Sequence, residues 1–409
     1  MKILFTCHRF PYPPRSGANV RAFHIVRHLS ASGHEVTVAS LARSSREAEE
    51  GRGIALDCKH YEMARVLNPV QVARMIWRLP TSTPSTMGFF YSSVLAQRVR
   101  QLLARERFDL IFVYCSSMAQ YVADVRGIPK VLDFVDMDSQ KWLEYARYKA
   151  FPLSLGYRLE GKKLEREERR LAGLFDLCTV TTRAEWETLE SYRTGVATDW
   201  FPNGVDGDYF APTGVPYDPY TICFVGRMDY YPNQECMFDF CANALPRILA
   251  RRPEARLLIV GADPSRAVKN LGDLPGVTVT GSVPDVRPYL RRAALVVAPL
   301  NIARGTQNKI LEAMAAGVPV VASALAAGGV DAVANEHFLV ASTPEEQARA
   351  VLQILDHPAQ RQRLSAAGRE RMLSNHSWRG SMQRLDCIID RCLGTRRDAR
   401  SAYEAGRMV

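Results

Sequence analysis

The sequence predicts an α/β protein with two doubly wound parallel sheets. Three observations carry that expectation: short apolar runs alternate with helix-length amphipathic segments, breakers cluster near mid-chain, and the same alternation restarts after them. Parallel strands need long crossovers, and strands buried on both faces read as near-continuous apolar runs.

The first unit opens with a strand at 2–6, a loop holding Pro11, Pro13, Pro14 and Gly17, a helix at 18–32 stopped by Gly33, and a second strand at 34–39. That order is a β-α-β unit. Further strands are expected at 110–114, 131–134, 177–181 and 198–201. Pro202-Asn203-Gly204-Val205-Asp206 and then Pro212, Gly214, Pro216 and Pro219 form the densest cluster of breakers, where the interdomain linker is placed. After it, strands are expected at 222–225, 257–260, 277–280, 295–298 and 318–322. Residues 361–393 read as helices, with Met382, Leu385, Ile388, Ile389 and Cys392 on one buried face. The expected division is 1–203, 204–380 and a carboxy-terminal helix over 381–409 that packs back on the first domain.

A chain of 409 residues with 47% apolar and 23% charged residues is long enough for two cores. The net charge of +10 is spread along the chain, which favours anionic partners without choosing among diphosphates, lipid headgroups and nucleic acid. No basic tail points to nucleic acid, and none is expected as a partner. The nine cysteines are scattered singles, several in strand-like runs such as those of Cys7, Cys115, Cys178 and Cys223, and read as reduced core residues. Neither a signal peptide nor an eighteen-residue apolar run is visible, so the expected location is the cytoplasm. A dehydrogenase is disfavoured because no Gly-x-Gly-x-x-Gly follows the first strand of either domain. No phosphate-binding Gly-x-x-x-x-Gly-Lys-Ser/Thr loop is present either.

Chemistry concentrates at Arg304-Gly305-Thr306-Gln307-Asn308-Lys309-Ile310-Leu311-Glu312, a loop that leads from a strand into a helix. At 100° per residue Ile310, Leu311 and Met314 share one side, and Asn308, Lys309 and Glu312 lie opposite. Gly305 permits close backbone approach, and free N–H groups of the first turn suit a diphosphate. Lys309 adds a positive charge, and Glu312 can accept two hydroxyl hydrogen bonds from a diol. Spacing alone leaves open an ordinary first-turn acid paired with Lys309 at i,i+3.

Leu311-Glu312-Ala313-Met314-Ala315-Ala316-Gly317-Val318-Pro319-Val320-Val321-Ala322 resembles the donor-site signature of retaining GT-B glycosyltransferases of the group 1 type. The likeness extends through the Pro-rich Ser16-Gly17 loop, Pro202 to Asp206, Phe224-Val225-Gly226-Arg227 and Gly281-Ser282-Val283-Pro284-Asp285. More narrowly, Val131 to Ser139 and Met228 to Asn233 are similar to sugar transferases of exosortase-associated (PEP-CTERM) exopolysaccharide clusters. The resemblance implies two Rossmann-like domains facing each other across a cleft. It also implies a metal-independent hexosyltransferase that takes a nucleoside-diphosphate sugar as donor substrate, has no separate cofactor and makes exopolysaccharide or glycolipid.

Carried over residue by residue, the resemblance gives Glu312 the donor ribose, Arg227 and Lys309 the diphosphate, and the backbone at Val283 the base. Gly17, Gly226, Gly305, Thr306 and Asn308 line the same donor, and Asp136 acts on the acceptor hydroxyl. Gly17 also reads as a plain loop glycine, and Arg227 as a surface residue. Two departures stand out. A family glutamate eight positions before Glu312 is Arg304 here, and a lysine five positions after Arg227 is Pro232. Lys309 is read as supplying the second lost charge.

His8, Arg9, Asp136 and Asp138 follow strands at their carboxyl ends. A carboxylate there can orient or deprotonate an acceptor hydroxyl; solvated loop acids and a helix start at Asp138-Ser139 are the other readings. Residues 70–78 and 141–170 mix large apolar with basic residues, which suits either a packed amphipathic helix or contact with the cytoplasmic face of an anionic inner membrane. The acceptor is expected to be lipid-linked or a saccharide. Two alternatives stand beside this reading: an epimerase or hydrolase on the same scaffold, since a fold does not fix a reaction, and a non-catalytic assembly subunit at the membrane, which Arg304 and Pro232 suggest.

Overall fold

The computed structural model describes residues 1–14 and 17–406, with the side chains of 18 and 395–406 left aside. Ser16 of the Pro-rich loop and the last residues of the 381–409 segment lie outside the described residues. The chain divides into two compact units, Met1–Pro202 with Met382–Val409, and Asn203–Ser381.

The first unit holds β1 (Lys2–Cys7), β2 (Glu35–Ala42), β3 (His60–Arg65), β4 (Leu110–Tyr114), β5 (Lys130–Val135), β6 (Leu177–Val180) and β7 (Ala197–Trp200). They form one sheet in the order β3-β2-β1-β4-β5-β6-β7, with every pairing parallel. The second unit holds β8 (Thr221–Val225), β9 (Arg256–Val260), β10 (Val277–Gly281), β11 (Leu295–Ala298), β12 (Val320–Ala322) and β13 (Leu339–Val340). Their order is β10-β9-β8-β11-β12-β13, again all parallel. Each sheet is therefore doubly wound, and each unit is a Rossmann-like domain.

The central strands are as apolar as two-sided burial requires: β4 and β11 are buried at every residue. Two separate apolar clusters follow, one around Ile111, Leu132 and Cys178, the other around Phe224, Ile259 and Val297. All nine cysteines are free, and Cys7, Cys115, Cys178 and Cys223 are buried. Met382, Leu385, Ile388, Ile389 and Cys392 are buried along the Trp378–Gly406 helix.

Two strands escape the sequence pattern. The run of β3, His-Tyr-Glu-Met-Ala-Arg, sits at a sheet edge and buries only Ala64 fully, so no apolar run marks it. β13 has two residues and is the opposite sheet's edge. The strand expected at 318–322 is shorter, because Gly317 (φ 71°), Val318 and Pro319 form the turn into β12.

Strand order reverses between β1 and β4 in one sheet and between β8 and β11 in the other. Ligands of such sheets bind beyond the carboxyl ends of the strands at the reversal. The loops after these strands carry Gly226-Arg227, Gly305 to Glu312, His8-Arg9 and Cys115.

Candidate active site

In the second unit, β8 ends at Val225, and Gly226 and Arg227 turn out of the sheet beside the loop from β11. Three glycine contacts show how tightly these loops pack. A Cβ on Gly226 would lie 2.7 Å from the Asn233 amide nitrogen and 3.2 Å from the Lys309 ammonium. One on Gly261 would lie 1.7 Å from the Gly226 carbonyl oxygen, and one on Gly329 2.0 Å from that of Gly305. Gly305 itself has φ 61°, a left-handed conformation that suits glycine.

The helix Asn308–Ala315 starts after Gln307, and no side chain caps it. The Ile310 N–H donates to the Gln307 carbonyl at 2.9 Å, which leaves the N–H groups of Asn308 and Lys309 and the positive helix end to meet an anion. Just ahead of it the Thr306 hydroxyl oxygen is buried with no hydrogen-bond partner among the described residues, a polar atom that a ligand can satisfy. Asn308 accepts at its side-chain oxygen from Asn203 at 3.1 Å.

Lys309 donates to the Asn233 side-chain oxygen at 2.6 Å, and its ammonium lies 4.4 Å from the centre of the Phe224 ring. Burial pulls the ammonium down to about 8, against the opposing effect of Cys236 and Glu312. Burial likewise pushes Glu312 up to about 7, against the effect of Lys309. The polar face of this helix is thus not an ordinary solvated one. Both groups keep some exposure but sit where water screens poorly.

Arg227 is held differently. It forms a fork with Asp229 at 3.0 and 2.7 Å and reaches Asp263 at 2.8 Å, and the Asp229 hydrogen bonds raise its pKa. Its side chain is about half exposed, so an incoming anion meets a cation already paired with two acids. Pro232 sits at the first turn of the helix Tyr231–Asp239 and is buried. The next residue, Asn233, is the one that receives Lys309. Val283 follows the edge strand β10, two strands from β8, and its side chain packs on the core.

In the first unit, Asp136 and Asp138 follow β5. Asp136 accepts from the Thr181 hydroxyl at 2.9 Å. Burial raises both carboxyls, partly offset by Lys141. Asp138 opens the helix Asp138–Tyr148, so the helix-start reading holds there. The segment is clamped from behind by two buried glutamates. The Met137 N–H donates to Glu185 at 2.8 Å and the Ser139 N–H to Glu168 at 2.9 Å. Glu168 also accepts from the Ser139 hydroxyl at 2.5 Å and from Tyr192 at 2.9 Å, and burial pushes it up to about 8. Val135, a β-branched residue at φ 69°, is held in a disfavoured conformation at the head of this segment.

His8 lies with Nδ1 3.1 Å from the Cys115 sulfur and stacks on Tyr114; burial and then the nearby arginines pull it down to about 3. Cys115 has φ 74° at the end of β4, and burial pushes its thiol up to about 12. Gly17 is exposed at the start of the helix Gly17–Ala31. That helix is fixed by fully buried Arg21, which donates to Asp133 at 2.8 Å and covers the Phe201 ring at 3.6 Å.

The structure therefore brings Gly226, Lys309 and the start of the 308–315 helix together, with Arg227 attached through Asn233. Val283 stands apart beyond β10, and Asp136 and Gly17 belong to the other unit. Glu168, Glu185 and Cys115 are the participants that no motif marks, and Asn233 closes the Met228 to Asn233 stretch without any role being assigned to it there.

Comparison with known proteins agrees with this geometry. A model of the glycosyl transferase 4-like domain matches residues 16–204, and a model of glycosyl transferases group 1 matches residues 219–357. A GDP-mannose-dependent monoacylated alpha-(1-6)-phosphatidylinositol monomannoside mannosyltransferase of Corynebacterium glutamicum is 29% identical over 236 residues, 51% of this chain and 61% of that protein. A phosphatidyl-myo-inositol mannosyltransferase of Mycobacterium tuberculosis is 33% identical over 213 residues, 49% of this chain and 54% of that protein. The match thus spans little more than half the length of these relatives. Among solved structures, sucrose-phosphate synthase from Thermosynechococcus elongatus aligns with a TM-score of 0.69 at 18% identity, covering 97% of this chain and 100% of that one. Anabaena HepE in complex with UDP and glucose aligns at 0.67 and 15% identity, covering 95% and 99%. At those identities they show the fold alone. Each unit thus matches a glycosyl transferase model, the first that of the 4-like domain and the second that of group 1, and the two matches together take in most of the sequence.

Proposed function

We propose that the protein transfers a sugar from a nucleoside-diphosphate sugar to a hydroxyl acceptor, with the donor held in the second unit. The observation that carries this reading is the pairing of Lys309 and Glu312 on an uncapped helix start at the sheet reversal, beside the orphaned Thr306 hydroxyl. Glu312 accepts the two ribose hydroxyls, and Lys309 with the first-turn N–H groups holds the diphosphate. Val283 lies two strand spacings from β8, roughly 10 Å, a distance that lets its backbone meet the base while the phosphates stay over the helix.

Transfer places an acceptor oxygen on the anomeric carbon as the bond to the diphosphate breaks. Negative charge grows on the leaving phosphate, so a fixed cation beside it lowers the barrier. Lys309 is that cation, in surroundings where its charge is poorly screened. Arg227 adds to it once the diphosphate competes with Asp229 and Asp263. These groups supply the positive charge of the step, and the reading needs no metal ion and no separate cofactor. Retention of the anomeric configuration follows from the family resemblance, and Arg304, in place of the sugar-contacting acid, is the residue that bears on it. Asp136 orients the acceptor hydroxyl or takes its proton.

The acceptor is a lipid-linked or saccharide hydroxyl on the way to a glycolipid or exopolysaccharide. The relatives named for phosphatidylinositol acceptors support the lipid-linked form. Such an acceptor is met at a bilayer, on its cytoplasmic face.

The test is product formation. Full-length protein is incubated with a panel of UDP- and GDP-sugars, with and without a membrane lipid extract, and nucleoside diphosphate release is followed. Release that depends on the extract, with a new glycolipid in it, supports the reading. Equal release without any acceptor points instead to a hydrolase.

A further inference from the structure

The helix Asn68–Arg78 in the first unit is built inside out. At 100° per residue, Gln71, Arg74 and Arg78 share one face, and Val72, Ala73, Ile76 and Trp77 share the other. The polar face is the one turned inward. Gln71, only 1% exposed, donates to the Phe89 carbonyl at 2.5 Å and the Tyr91 carbonyl at 2.9 Å. Arg74 donates to the Tyr91 carbonyl at 2.7 Å and to the Gln71 side-chain oxygen at 3.0 Å. The Arg78 side chain packs on Gly88. The outer face is left apolar, and Trp77 is 83% exposed, with Val72 and Ile76 also exposed. A surface helix in water shows the opposite arrangement.

The same surface continues on the helix Leu153–Ala172. Lys163 donates to the Leu79 carbonyl at 2.7 Å and so ties the end of the first helix to the second. On that second helix Leu155 and Leu159 project outward with Lys162 and Arg166 in i,i+3 and i,i+4 steps. Its inward face holds Glu160, Gly161, Leu164 and Glu168. Phe151, just before it, is 81% exposed. Exposed aromatic and aliphatic side chains on two tethered helices make a patch of the sort that meets another apolar phase.

Charge selects the occupant. Residues 63–105 contain no Asp or Glu; of their six arginines Arg74 and Arg78 face inward and Arg98 pairs with Glu62, while Arg65, Arg100 and Arg105 are exposed. On the second helix the acids are taken up: Glu160 and Glu168 are buried, Glu165 pairs with Lys162 and Glu167 with Arg170. An apolar patch inside a basic field fits a bilayer with anionic headgroups, where apolar side chains enter the interface and arginines and lysines meet phosphates.

We infer that this protein docks on anionic lipid bilayers through Trp77, Ile76, Phe151, Leu155 and Leu159, with the inward hydrogen bonds of Gln71 and Arg74 fixing the first helix as a rigid peg. The inference deepens the reading of a lipid-linked acceptor and rests on it for its purpose. Docking itself needs neither donor nor turnover.

The experiment is vesicle co-sedimentation of the full chain without any sugar nucleotide. The vesicles are a mixture of phosphatidylglycerol and phosphatidylcholine, compared with phosphatidylcholine alone. Binding is expected to the mixed vesicles, weaker by roughly tenfold or more on the neutral ones or at high salt. The variants W77S and F151S together are expected to lose roughly tenfold or more of that binding. Both side chains are exposed, so unchanged circular dichroism and Tm are expected for the pair. A third variant, Q71A, tests the peg: it is expected to loosen the helix and reduce binding while leaving Trp77 in place.

No binding to mixed vesicles, or undiminished binding by the double variant, would overturn the inference. So would a concentration-dependent dimer in light scattering that W77S and F151S abolish, since a second copy would then cover the patch. Because no turnover is read, failure here leaves the transferase reading standing, and loss of transferase activity with vesicle binding intact leaves the docking surface standing.

Discussion

Lys309 places its ammonium 2.6 Å from the Asn233 side-chain oxygen, and the amide nitrogen of the same Asn233 donates to the Arg227 carbonyl at 2.8 Å. One buried asparagine thus joins the helix that follows β11 to the turn that follows β8. Its removal leaves a half-buried lysine without its acceptor and loosens the turn that carries Arg227. Asn233→Ala should weaken nucleoside diphosphate binding by about tenfold, or about 1.4 kcal/mol. In a double-mutant cycle with Lys309→Ala the two losses should fall short of additive, because the groups act as a pair. Fully additive losses in calorimetry would show that the contact contributes nothing to binding.

Lys309→Ala should lower kcat/KM by roughly 100-fold or more, the scale seen when a donor of transition-state charge stabilisation is removed. Thermal stability should hold or rise, since a cation in poorly solvated surroundings is costly to keep. Glu312→Gln should instead act mainly on donor binding, with the loss shrinking for a 2′-deoxyribose donor that makes one fewer hydrogen bond. A 2′-deoxy donor that loses as much as the natural one on this substitution would separate Glu312 from the ribose.

The two pKa values set the pH dependence of donor binding. Glu312 titrates near 7 and must be ionised to accept from a diol. Lys309 titrates near 8 and must be protonated to hold a diphosphate. Binding of nucleoside diphosphate by free enzyme should therefore be strongest between about pH 7 and pH 8 and fall on both sides. In Lys309→Ala the alkaline fall should disappear and the acid one remain. A profile flat from pH 6 to 9 would contradict both assignments.

Glu168 gives a separate test on the acceptor side. Its carboxyl titrates near 8 when folded and near 4.5 when unfolded, so the folded state binds the proton more tightly. Its favourable contribution is fully present below about pH 4.5 and is lost as pH rises towards 8. Glu168→Gln lacks this dependence, so wild type should lose stability relative to Glu168→Gln over that interval in denaturant titrations. Glu168→Ala should cost about 1–3 kcal/mol at acid pH by stranding Ser139 and Tyr192, and less as pH rises towards 8. Equal slopes for wild type and Glu168→Gln would contradict the raised pKa.

Much of this architecture is legible in the sequence for a physical reason. Parallel strands buried on both faces must be apolar throughout, so β1, β4, β8 and β11 announce themselves. Edge strands carry no such demand, and β3, with one fully buried residue, and β13, with two residues in all, do not. Lys309 and Glu312 are legible as a polar face at a helix start because helical spacing is local. Asn233 is not, since its partner lies seventy-six positions away and nothing in Tyr-Tyr-Pro-Asn specifies where its side chain turns. The same holds for Asp263 against Arg227 and for Glu168 behind Ser139. The apolar residues at 72, 76 and 77 suit a packed helix as well as an exposed one; only the burial of Gln71 and the inward hydrogen bonds of half-buried Arg74 show which face is turned in.

The most direct test of the donor site is calorimetric titration of the full-length protein with GDP and UDP at pH 7.5, alongside Lys309→Ala and Glu312→Gln. The account predicts that one of the two nucleotides binds wild type and that either substitution weakens it by roughly tenfold or more. Binding by both variants as tight as wild type would contradict it.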